Sequence, residues 1–573
     1  MPATDAKEFE TDVLVIGGGA AGVFAAVRAK GKGRRVLLVD KGGIGSSGCT
    51  PWVTEMAVFN EKWGDSREQW MDYCLTNGDH LLNRPWLERL LDDSYARYED
   101  LASWGLPFTQ TFWGRPHRAG FPSVPSKSLV IYHGIKNIPD VLRKKVRESG
   151  IETVERTMIT DLLQQDGRVV GAAGFSLDRD RAVVIKSKVT VMCGGAASFK
   201  PSGFPVASLT GDGDAMAYRA GAGITGKEFV DVHWTYADHP AWGIFQTHKF
   251  LHHPWPMKLY PFSRMPVPLL KSLFKNVKGD TVGGAGLETG SNIIFEAHEG
   301  RAPVFMQSPV PGTKFIYHRE LVGGASCGMA HHKAEGIWPI GTEGGTEVPG
   351  LFAAGDALGS MQCGADYRAV TGMSFSGSAC QGARAGEAAA RYAESTGEPH
   401  IDDARIAELT EAIFAPAKRK GGFTPGWVTQ VLQNTMTPYF ILYVKEQKRL
   451  KAALTIVEFM RDHLVPMLTA KDTHELRLAH ETRNMVLNAE MKLRASLFRT
   501  ESRGTHFRED FPARNDNDWF AFVKLQDVGG KMVLSKEPLP DEWKPDPSVP
   551  YEESYPLRFP GELEFLKGKR TII

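Results

Sequence analysis

The sequence predicts an α/β protein, and three features of the chain predict it. An apolar strand over 13–16 runs into three glycines, an Ala-rich helical stretch covers 20–30, and a second apolar strand over 36–39 ends at Asp40. This order of strand, glycine turn, helix and strand is that of a βαβ unit, whose strands lie parallel in a buried sheet. Alternating residues over 167–187 predict an antiparallel hairpin as well.

The length of 573 residues exceeds what one hydrophobic core supports, so several domains are expected. Residues 1–230 and 346–395 are predicted to form one discontinuous α/β domain, because a late apolar strand, "GLFAAGD", follows a long interruption. The interruption, 231–345, is rich in His, Trp, Pro and Gly and predicts an inserted α+β domain. A charged helical pattern predicts a helical domain over 396–500, and 501–573 is expected to be a C-terminal segment with an extended tail.

Composition excludes several classes of function. The formal net charge is +1, so no global charge favours nucleic acid or a membrane surface. The polar N-terminus lacks the features of a secretory signal, and no run of about 18 apolar residues occurs, so a cytoplasmic protein without an integral membrane segment is expected. The six cysteines are not arranged as C-x-x-C, so no metal site and no iron–sulfur cluster is expected within the chain.

The glycine turn predicts a dinucleotide site. Gly17, Gly19 and Gly22 fit the pattern G-x-G-x-x-G between a strand and a helix that begins near Ala20 and Ala21. The first glycine permits the turn, the second lets the backbone approach a pyrophosphate, and the third allows close packing of helix on strand. Asp40 closes the second strand, about 20 residues on, where an acid binds ribose hydroxyls. The motif is weak alone, but here its whole structural context is present.

A second motif favours FAD over NAD. The stretch "VPGLFAAGDA" over 348–357 is a strand of small residues that ends in Gly355 and Asp356. It resembles the second FAD motif of flavoproteins with two dinucleotide folds, in which the aspartate holds a ribityl hydroxyl. The resemblance implies a Rossmann-like FAD-binding domain.

Two further stretches make the resemblance more specific. They are "TGDGDAMAYRAGAGITGKEFVDVH" over 210–233 and "ESRGTHFREDFPARNDNDW" over 501–519. Together with the two dinucleotide motifs, in this order, the chain resembles the succinate dehydrogenase/fumarate reductase flavoprotein family, which includes L-aspartate oxidase and the flavoprotein subunit of adenylylsulfate reductase. The resemblance implies an FAD domain, a capping domain and a C-terminal helical domain. It also implies hydride transfer between flavin N5 and a carbon next to a carboxylate or carbonyl.

The same resemblance implies further cofactor contacts. The expected residues follow the second strand, the glycine turn after "VTVMC", the T-G-D-G motif and the start of the helix after "GADYRAVTG": Lys41, Ser46, Ser47, Gly48, Cys49, Thr50, Gly194, Gly195, Asp212, Ser374 and Phe375. Respiratory members bind the flavin covalently through a histidine in the first of these segments. No histidine lies between Lys41 and Asn77 here, so noncovalent FAD is expected.

The residues expected to bind substrate match the family less completely than the FAD motifs do. His233, His331 and Arg368 fall near the family's substrate-binding histidines and arginine, and Tyr236 and Tyr367 are candidate proton donors. Fumarate-reducing members use a capping-domain arginine as proton donor, but no arginine occurs between positions 265 and 300. This departure argues against succinate or fumarate as substrate.

Three enzymatic functions stay open, beside a purely structural one. The first is an FAD-dependent dehydrogenase or reductase that acts on a C–C/C=C bond, or a similar activated position, of an organic substrate larger than succinate. The second is the flavoprotein subunit of a complex resembling adenylylsulfate reductase, with a separate iron–sulfur or other electron-transfer subunit. The third is an oxidase resembling L-aspartate oxidase. The sequence leaves a homo-oligomer open as well.

Overall fold

The protein was analysed as a computed structural model. The structure describes residues 6–119, 127–132, 134–200, 208–230, 235–236, 274–279, 290–301, 304–306, 319–322, 335–365, 372–557 and 561–568. Of the predicted site residues, His233, His331, Tyr367 and Arg368 lie outside these ranges.

A mixed sheet forms the centre of the N-terminal half. The elements of this half are β1 (Lys7–Ile16), α1 (Ala20–Gly31), β2 (Val36–Val39), β3 (Glu55–Ala57), α2 (Arg67–Asn77), α3 (Arg84–Ser103), β4 (Arg118–Ala119), β5 (Ser128–Val130), α4 (Gly134–Glu148), β6 (Glu152–Val154), β7 (Thr157–Gln165), β8 (Arg168–Ser176), β9 (Ala182–Met192) and α5 (Asp212–Arg219). The predicted βαβ unit and hairpin are β1–α1–β2 and β8–β9, and the predicted α/β class is confirmed.

The strand order of the central sheet is β6-β2-β1-β9-β8-β7. Strands β6, β2, β1 and β9 are parallel, whereas β7, β8 and β9 form an antiparallel meander. Along one edge of β9, β8 pairs with the first half and the late strand β16 (Leu351–Ala353) pairs with the second half. The chain therefore returns to the sheet after the insertion, at the end where β1 meets its glycine turn.

Both faces of the sheet are buried, as expected for parallel strands. Val13 and Val15 pack in one hydrophobic core with α1 and the later helix α7 (Met373–Ser395). Leu14 and Ile16 point the other way, into a second core that includes α5. This alternation fixes the register of β1, and so fixes where its glycine turn lies.

The inserted segment is described in part. Its elements are β10 (Ile224–Thr225), just before the insertion, then β11 (Thr235–Tyr236), β12 (Phe274–Asn276), α6 (Gly290–His298), β13 (Val304–Met306) and β14 (Arg319–Val322), and β15 (Gly336–Ile337) on its return. Strands β11, β14, β13 and β12 form a separate antiparallel sheet. Helix and antiparallel sheet together agree with the α+β character predicted for this segment.

The C-terminal half is largely helical. It contains α7, α8 (Asp403–Lys418), α9 (Pro425–Met436), α10 (Tyr439–Leu442), β17 (Val444–Lys445), α11 (Gln447–Phe459), α12 (Thr473–Phe498), β18 (Phe507–Arg508), α13 (Asp516–Trp519), β19 (Ala521–Val528), β20 (Lys531–Pro538), α14 (Tyr551–Ser554) and α15 (Glu562–Leu566). Asp472 caps α12 by accepting a hydrogen bond from Glu475 N at 2.8 Å.

The segment over 501–573, predicted to carry an extended tail, also contains part of a sheet. Strands β19 and β20 form a hairpin that joins β10 and β15 in a four-stranded sheet of order β15-β10-β19-β20. Lys531, Val533 and Lys536 of β20 are exposed, whereas Met532 and Leu534 are partly buried against the second core. Further on, Tyr555 packs beside His80, so the tail contacts the body of the protein.

Candidate cofactor and active site

An open cavity lies at the carboxyl ends of β1, β2 and β9, and it encloses about 1040 Å³ including space open to solvent. Most of the predicted cofactor residues line it: Gly17, Gly19, Ala20, Ala21, Asp40, Lys41, Ser47, Gly48, Cys49, Thr50, Gly194, Gly195, Asp212, Gly355 and Asp356. Segments far apart in the chain thus meet at one edge of the sheet, where α/β proteins bind dinucleotides.

The first glycine turn permits close approach of three backbone segments. Gly17 has φ +107°, and a Cβ there would lie 2.2 Å from Cys193 O. Gly22 packs so closely that its Cβ would lie 1.8 Å from Gly17 O. Neither position accommodates a side chain, so helix α1 lies directly against the end of β1, with its N-terminus on the cavity.

Asp40 organises the loop that follows β2. Its carboxylate accepts hydrogen bonds from Gly18 N at 2.6 Å, Gly42 N at 2.6 Å and Ser47 Oγ at 2.7 Å. A carboxylate has about four lone-pair sites, so three donors leave acceptor capacity for a ribose hydroxyl. The predicted ribose ligand therefore also holds the glycine turn in shape.

The loop over 46–50 is divided between the cavity and the surface. Thr50 Oγ1 accepts a hydrogen bond from Ala20 N at 3.0 Å and so occupies one free N–H group at the start of α1. Ser46 is exposed and bonds Gly43 O at 3.1 Å and Arg143 Nη2 at 3.0 Å. Of the two predicted serine contacts, only Ser47 belongs to the cavity wall.

Lys41 is held in a buried ion cluster beside the cavity. Its Nζ lies 2.7 Å from Asp212 Oδ2 and 2.8 Å from Glu481 Oε1, and it donates to Ser208 O at 3.0 Å. Burial lowers the pKa of the ammonium, but the charges of Asp212 and Glu481 outweigh burial and raise that pKa above its ordinary value. Lys41 is therefore a permanent cation in this wall.

Asp212 is the first residue of helix α5 and the partner of Lys41. Its Oδ1 also accepts from Asn484 Nδ2 at 2.9 Å. Burial raises the pKa of Asp212, but the Lys41 charge and the surrounding hydrogen bonds hold it below the ordinary range. The carboxylate is thus ionised and fixed at the edge of the cavity.

The second predicted FAD motif also lines the cavity, next to the start of α1. Gly355 has φ +73°, and a Cβ there would lie 2.7 Å from Ala21 Cβ. Asp356 accepts a hydrogen bond from Ser374 Oγ at 3.1 Å, in the first turn of helix α7. Phe375, also predicted as a cofactor contact, is 4% exposed and packs in the hydrophobic core. The start of α7 thus lies beside the cavity, with Ser374 joined to its wall.

The structure adds wall residues that the sequence does not predict: Thr157, Met158, Ile159, Ser208, Ser378 and Arg477. The most distant is Arg477, which belongs to helix α12 of the C-terminal half. Arg477, Glu481 and Asn484 follow one another at helical spacing, so one face of α12 approaches the cavity. In the sequence this spacing indicates only an amphipathic helix.

The predicted substrate residues remain predictions. Tyr236 lies in β11, where its backbone pairs with Leu321, and its side chain is outside the described part of the structure. The remaining candidates, His233, His331, Tyr367 and Arg368, lie wholly outside it.

The cavity fits a bound dinucleotide. Its glycines leave room for close backbone approach, a helix N-terminus opens onto it, and a carboxylate with spare acceptor capacity closes the second strand. Two family models match the chain: FAD binding domain over 12–244 and Fumarate reductase flavoprotein C-term over 429–552. Fold, cavity and matches define an FAD-dependent oxidoreductase.

Both family models and the relatives support the succinate dehydrogenase/fumarate reductase flavoprotein family, as the four motifs predict. One relative, a subunit of the CoM/CoB fumarate reductase of Methanothermobacter marburgensis, is 27% identical over 542 residues, which are 89% of this chain and 96% of that protein. L-aspartate oxidase of Vibrio cholerae is 24% identical over 556 residues, 88% of this chain and 96% of that protein.

Solved structures share the fold. Adenylylsulfate reductase from Archaeoglobus fulgidus superposes with a TM-score of 0.77 at 22% identity, over 95% of this chain and 98% of that one. The E. coli quinol fumarate reductase chain FrdA gives a TM-score of 0.77 at 17% identity, over 96% and 99%. Within the residues that the structure describes, no helix combines the length and apolar character needed to span a membrane.

Proposed function

We propose that the enzyme is a dehydrogenase or reductase that transfers hydride between flavin N5 and a C–C/C=C bond, or a similar activated position, of an organic substrate larger than succinate. The observation that carries the proposal is a contrast within the chain. Most of the predicted cofactor residues line one cavity, whereas the stretch between positions 265 and 300 contains no arginine to serve as the family's proton donor.

FAD, when bound, supplies the hydride chemistry. We propose that Asp40 binds a ribose hydroxyl, that Asp356 binds a ribityl hydroxyl, and that the free N–H groups at the start of α1 bind phosphate. The start of α7, at Ser374 and Phe375, would stabilise negative charge at the N1–O2 edge of the ring. Noncovalent binding is supported by the absence of histidine between Lys41 and Asn77.

The substrate residues are proposed from the sequence. His233, His331 and Arg368 would bind and polarise the carboxylate or carbonyl end, because cationic and N–H donors stabilise the charge that develops there. Tyr236 or Tyr367 would move the proton on the face opposite the flavin, in place of the missing arginine.

The proposal keeps the domain division predicted from the sequence. Residues 1–230 and 346–395 would form the FAD-binding domain, 231–345 the cap, 396–500 the helical domain and 501–573 the C-terminal segment.

Anaerobic photometry of the FAD-loaded protein tests the proposal. The oxidised protein is titrated with succinate, L-aspartate, sulfite and saturated cyclic ketones, and flavin bleaching is followed in the visible band. The proposal expects bleaching by a bulky carbonyl donor and none by succinate. Fast bleaching by succinate would overturn it.

A second candidate is the flavoprotein subunit of a larger complex. Its support is that relatives matching most of this chain are named as subunits, among them one of the CoM/CoB fumarate reductase and a succinate dehydrogenase flavoprotein subunit of Bacillus subtilis. An iron–sulfur partner would then carry the electrons. Purification from the native host, with iron measured in the fractions that contain the chain, separates this function from a stand-alone enzyme.

A third candidate is an oxidase, supported by the similarity to L-aspartate oxidase over 88% of the chain. An oxidase releases peroxide steadily in air with no added acceptor. A dehydrogenase requires an added electron acceptor for sustained turnover, so a peroxide assay with L-aspartate separates the two.

A further inference from the structure

The inserted segment begins after Val230, and Glu335 lies just before β15, the strand that pairs with β10 near the end of the insertion. We call residues 227–230 the outgoing crossing and residues 335–337 the returning crossing. Beside them, β10 and β15 pair Ile224 with Ile337 and Thr225 with Gly336, and Trp338 N donates to Gly223 O at 2.8 Å.

Four fully buried charges join the two crossings. Lys227 Nζ lies 2.5 Å from Asp214 Oδ2 and 3.3 Å from Glu335 Oε2. Lys492 Nζ lies 2.7 Å from the same Glu335 oxygen. The side chains of Asp214, Lys227 and Glu335 have 0% exposure and that of Lys492 has 2%. We call these four residues the crossing quartet.

Two members of the quartet lie on helices outside the crossings. Asp214 belongs to helix α5, next to the cofactor cavity, and Lys492 belongs to helix α12. Lys492 also donates to Phe229 O at 3.3 Å, in the outgoing crossing, and Lys227 donates to Asn488 Oδ1 at 2.7 Å, in α12. Each lysine therefore links one crossing to a helix and to the other crossing.

Stability alone does not account for the quartet. Two cations and two anions cancel in charge, but burial of ions costs several kcal/mol each, and apolar residues of equal volume often serve stability as well. Among the residues that the structure describes, Asp214 Oδ1 and Glu335 Oε1 are, moreover, buried with no hydrogen-bond partner. In some proteins such buried ion pairs fix the relative position of the groups that they join.

We propose that Lys227 and Lys492 are positioning residues, which hold the outgoing and returning crossings at a fixed spacing through Asp214 and Glu335. The inference rests on the proposed function, because the outgoing crossing leads in sequence to His233 and the returning one follows His331. In sequence, His233 is three residues after the outgoing crossing and His331 is four residues before the returning one.

Hydrogen exchange of the FAD-loaded protein tests the inference without a substrate. Amide exchange is measured by mass spectrometry in peptides that cover 224–230 and 335–340, in the wild type, K492M and K492M/E335Q. K492M leaves Glu335 with Lys227 alone, so exchange in both peptides should rise about tenfold or more, as expected for an uncompensated buried charge. The double variant restores neutrality, and its exchange should return to within about threefold of the wild type.

R494M is the matched control, because Arg494 lies on the same helix but pairs with Glu490 and Glu458 away from the crossings. If Lys492 has a merely structural role, K492M and R494M should change amide exchange equally, and K492M/E335Q should not restore it. Either result overturns the inference. If K492M does not accumulate, K227M is compared with K227M/D214N instead, because this pair also removes one lysine and then the carboxylate that it leaves unpaired.

Activity is measured afterwards, with any substrate that the flavin titration identifies. The inference expects K492M to raise KM at least about tenfold, with a smaller change in kcat, and K492M/E335Q to recover most of that loss. If the exchange pattern is as expected but no organic substrate is turned over, the inference stands and the proposed function fails. If turnover is found but the exchange pattern is absent, the inference fails and the proposed function stands.

Discussion

Lys41 Nζ lies 2.8 Å from Glu481 Oε1, so the loop after the first βαβ unit is joined to helix α12 of the C-terminal half by a buried ion pair. Lys200 Nζ lies 2.8 Å from the other oxygen of the same carboxylate. Burial raises the pKa of Glu481, but Lys41 and Lys200 outweigh burial and hold it below the ordinary range. The wall of the cofactor cavity thus depends on a residue far away in sequence.

Glu481→Gln tests this dependence. The substitution removes the carboxylate that Lys41 and Lys200 share, and breaking a buried ion pair costs about 3–5 kcal/mol. Because Lys41 keeps Asp212 at 2.7 Å, we expect the free energy of unfolding, measured with urea, to fall by the lower end of this range, with weaker FAD binding. Glu458→Gln is the control, because Glu458 pairs with Arg494 near the surface and should cost less than about 1 kcal/mol. Equal losses in the two variants would contradict the account.

Gly22→Ala tests the close packing of α1 on β1. The new Cβ would lie 1.8 Å from Gly17 O, a backbone atom that cannot move aside, so we expect a loss above about 3 kcal/mol and no retained FAD. Gly31→Ala, near the end of the same helix, meets nothing within 4 Å and should be neutral or stabilising by up to about 1 kcal/mol. Thermal unfolding and flavin absorbance of both proteins provide the comparison.

Ser47→Ala and Ser46→Ala separate the two predicted serine contacts. Ser47 donates to Asp40, and a hydrogen bond to a carboxylate contributes about 1.5–3 kcal/mol, so the Kd for FAD should rise about tenfold or more. Ser46 is exposed, and its removal should leave the Kd within about twofold. Fluorescence titration of the apoprotein with FAD measures both. A larger effect at Ser46 would show that the loop binds FAD differently.

Acid should destabilise the protein partly through His480. This side chain is fully buried, and burial, with the nearby charge of Arg483, lowers the pKa of the imidazole to about 4. A histidine whose folded pKa lies below its unfolded value of about 6.5 stabilises the fold above pH 6.5, and that stability is lost as the pH falls towards 4. The full shift corresponds to about 3 kcal/mol.

His480→Gln checks this pH dependence. The glutamine amide can replace the hydrogen bond from His480 Nε2 to Ile413 O at 2.9 Å, but it does not titrate. Urea unfolding at pH 8 and pH 5 should show a smaller acid loss in the variant than in the wild type. An equal loss of stability in the two proteins would show that groups other than His480 cause the acid sensitivity.

Flavin attachment provides a separate prediction. Acid precipitation of the FAD-loaded protein should release all of the flavin to the supernatant, since no histidine lies between Lys41 and Asn77. Flavin that stays with the precipitated chain would contradict noncovalent binding. Cys49, in the cavity wall, would then be the residue to replace with serine.

Local patterns were sufficient for the first dinucleotide unit. The apolar runs over 13–16 and 36–39 predict β1 and β2, because buried parallel strands are continuously apolar, although β1 starts as early as Lys7. The exposed first half of β1 carries charged side chains, and only its pairing with β9 makes it a strand. The charged helical pattern over 396–500 includes the long helix α12 (Thr473–Phe498), which Asp472 caps.

Contacts between distant parts of the chain could not be predicted in the same way. Arg477, Glu481 and Lys492 are charged residues at helical spacing, a pattern that ordinarily indicates a solvated face. In the structure Glu481 pairs with Lys41 and Lys492 pairs with Glu335, and both of these helix residues are buried, whereas Arg477 stays partly exposed. Which charges of a helix become buried depends on tertiary packing, which helical periodicity alone does not reveal.

The most direct test of the central claim is the reoxidation rate of the photoreduced, FAD-loaded protein, followed anaerobically in the visible flavin band. Fumarate and a bulkier cyclic enone are compared as acceptors at equal concentration. If the active site lacks the capping-domain arginine and accepts a larger substrate, the enone should reoxidise the flavin fast. The reoxidation rate with fumarate should then be no higher than the rate in buffer. Fast reoxidation by fumarate alone would contradict the account and would make the protein a fumarate reductase with a different proton donor.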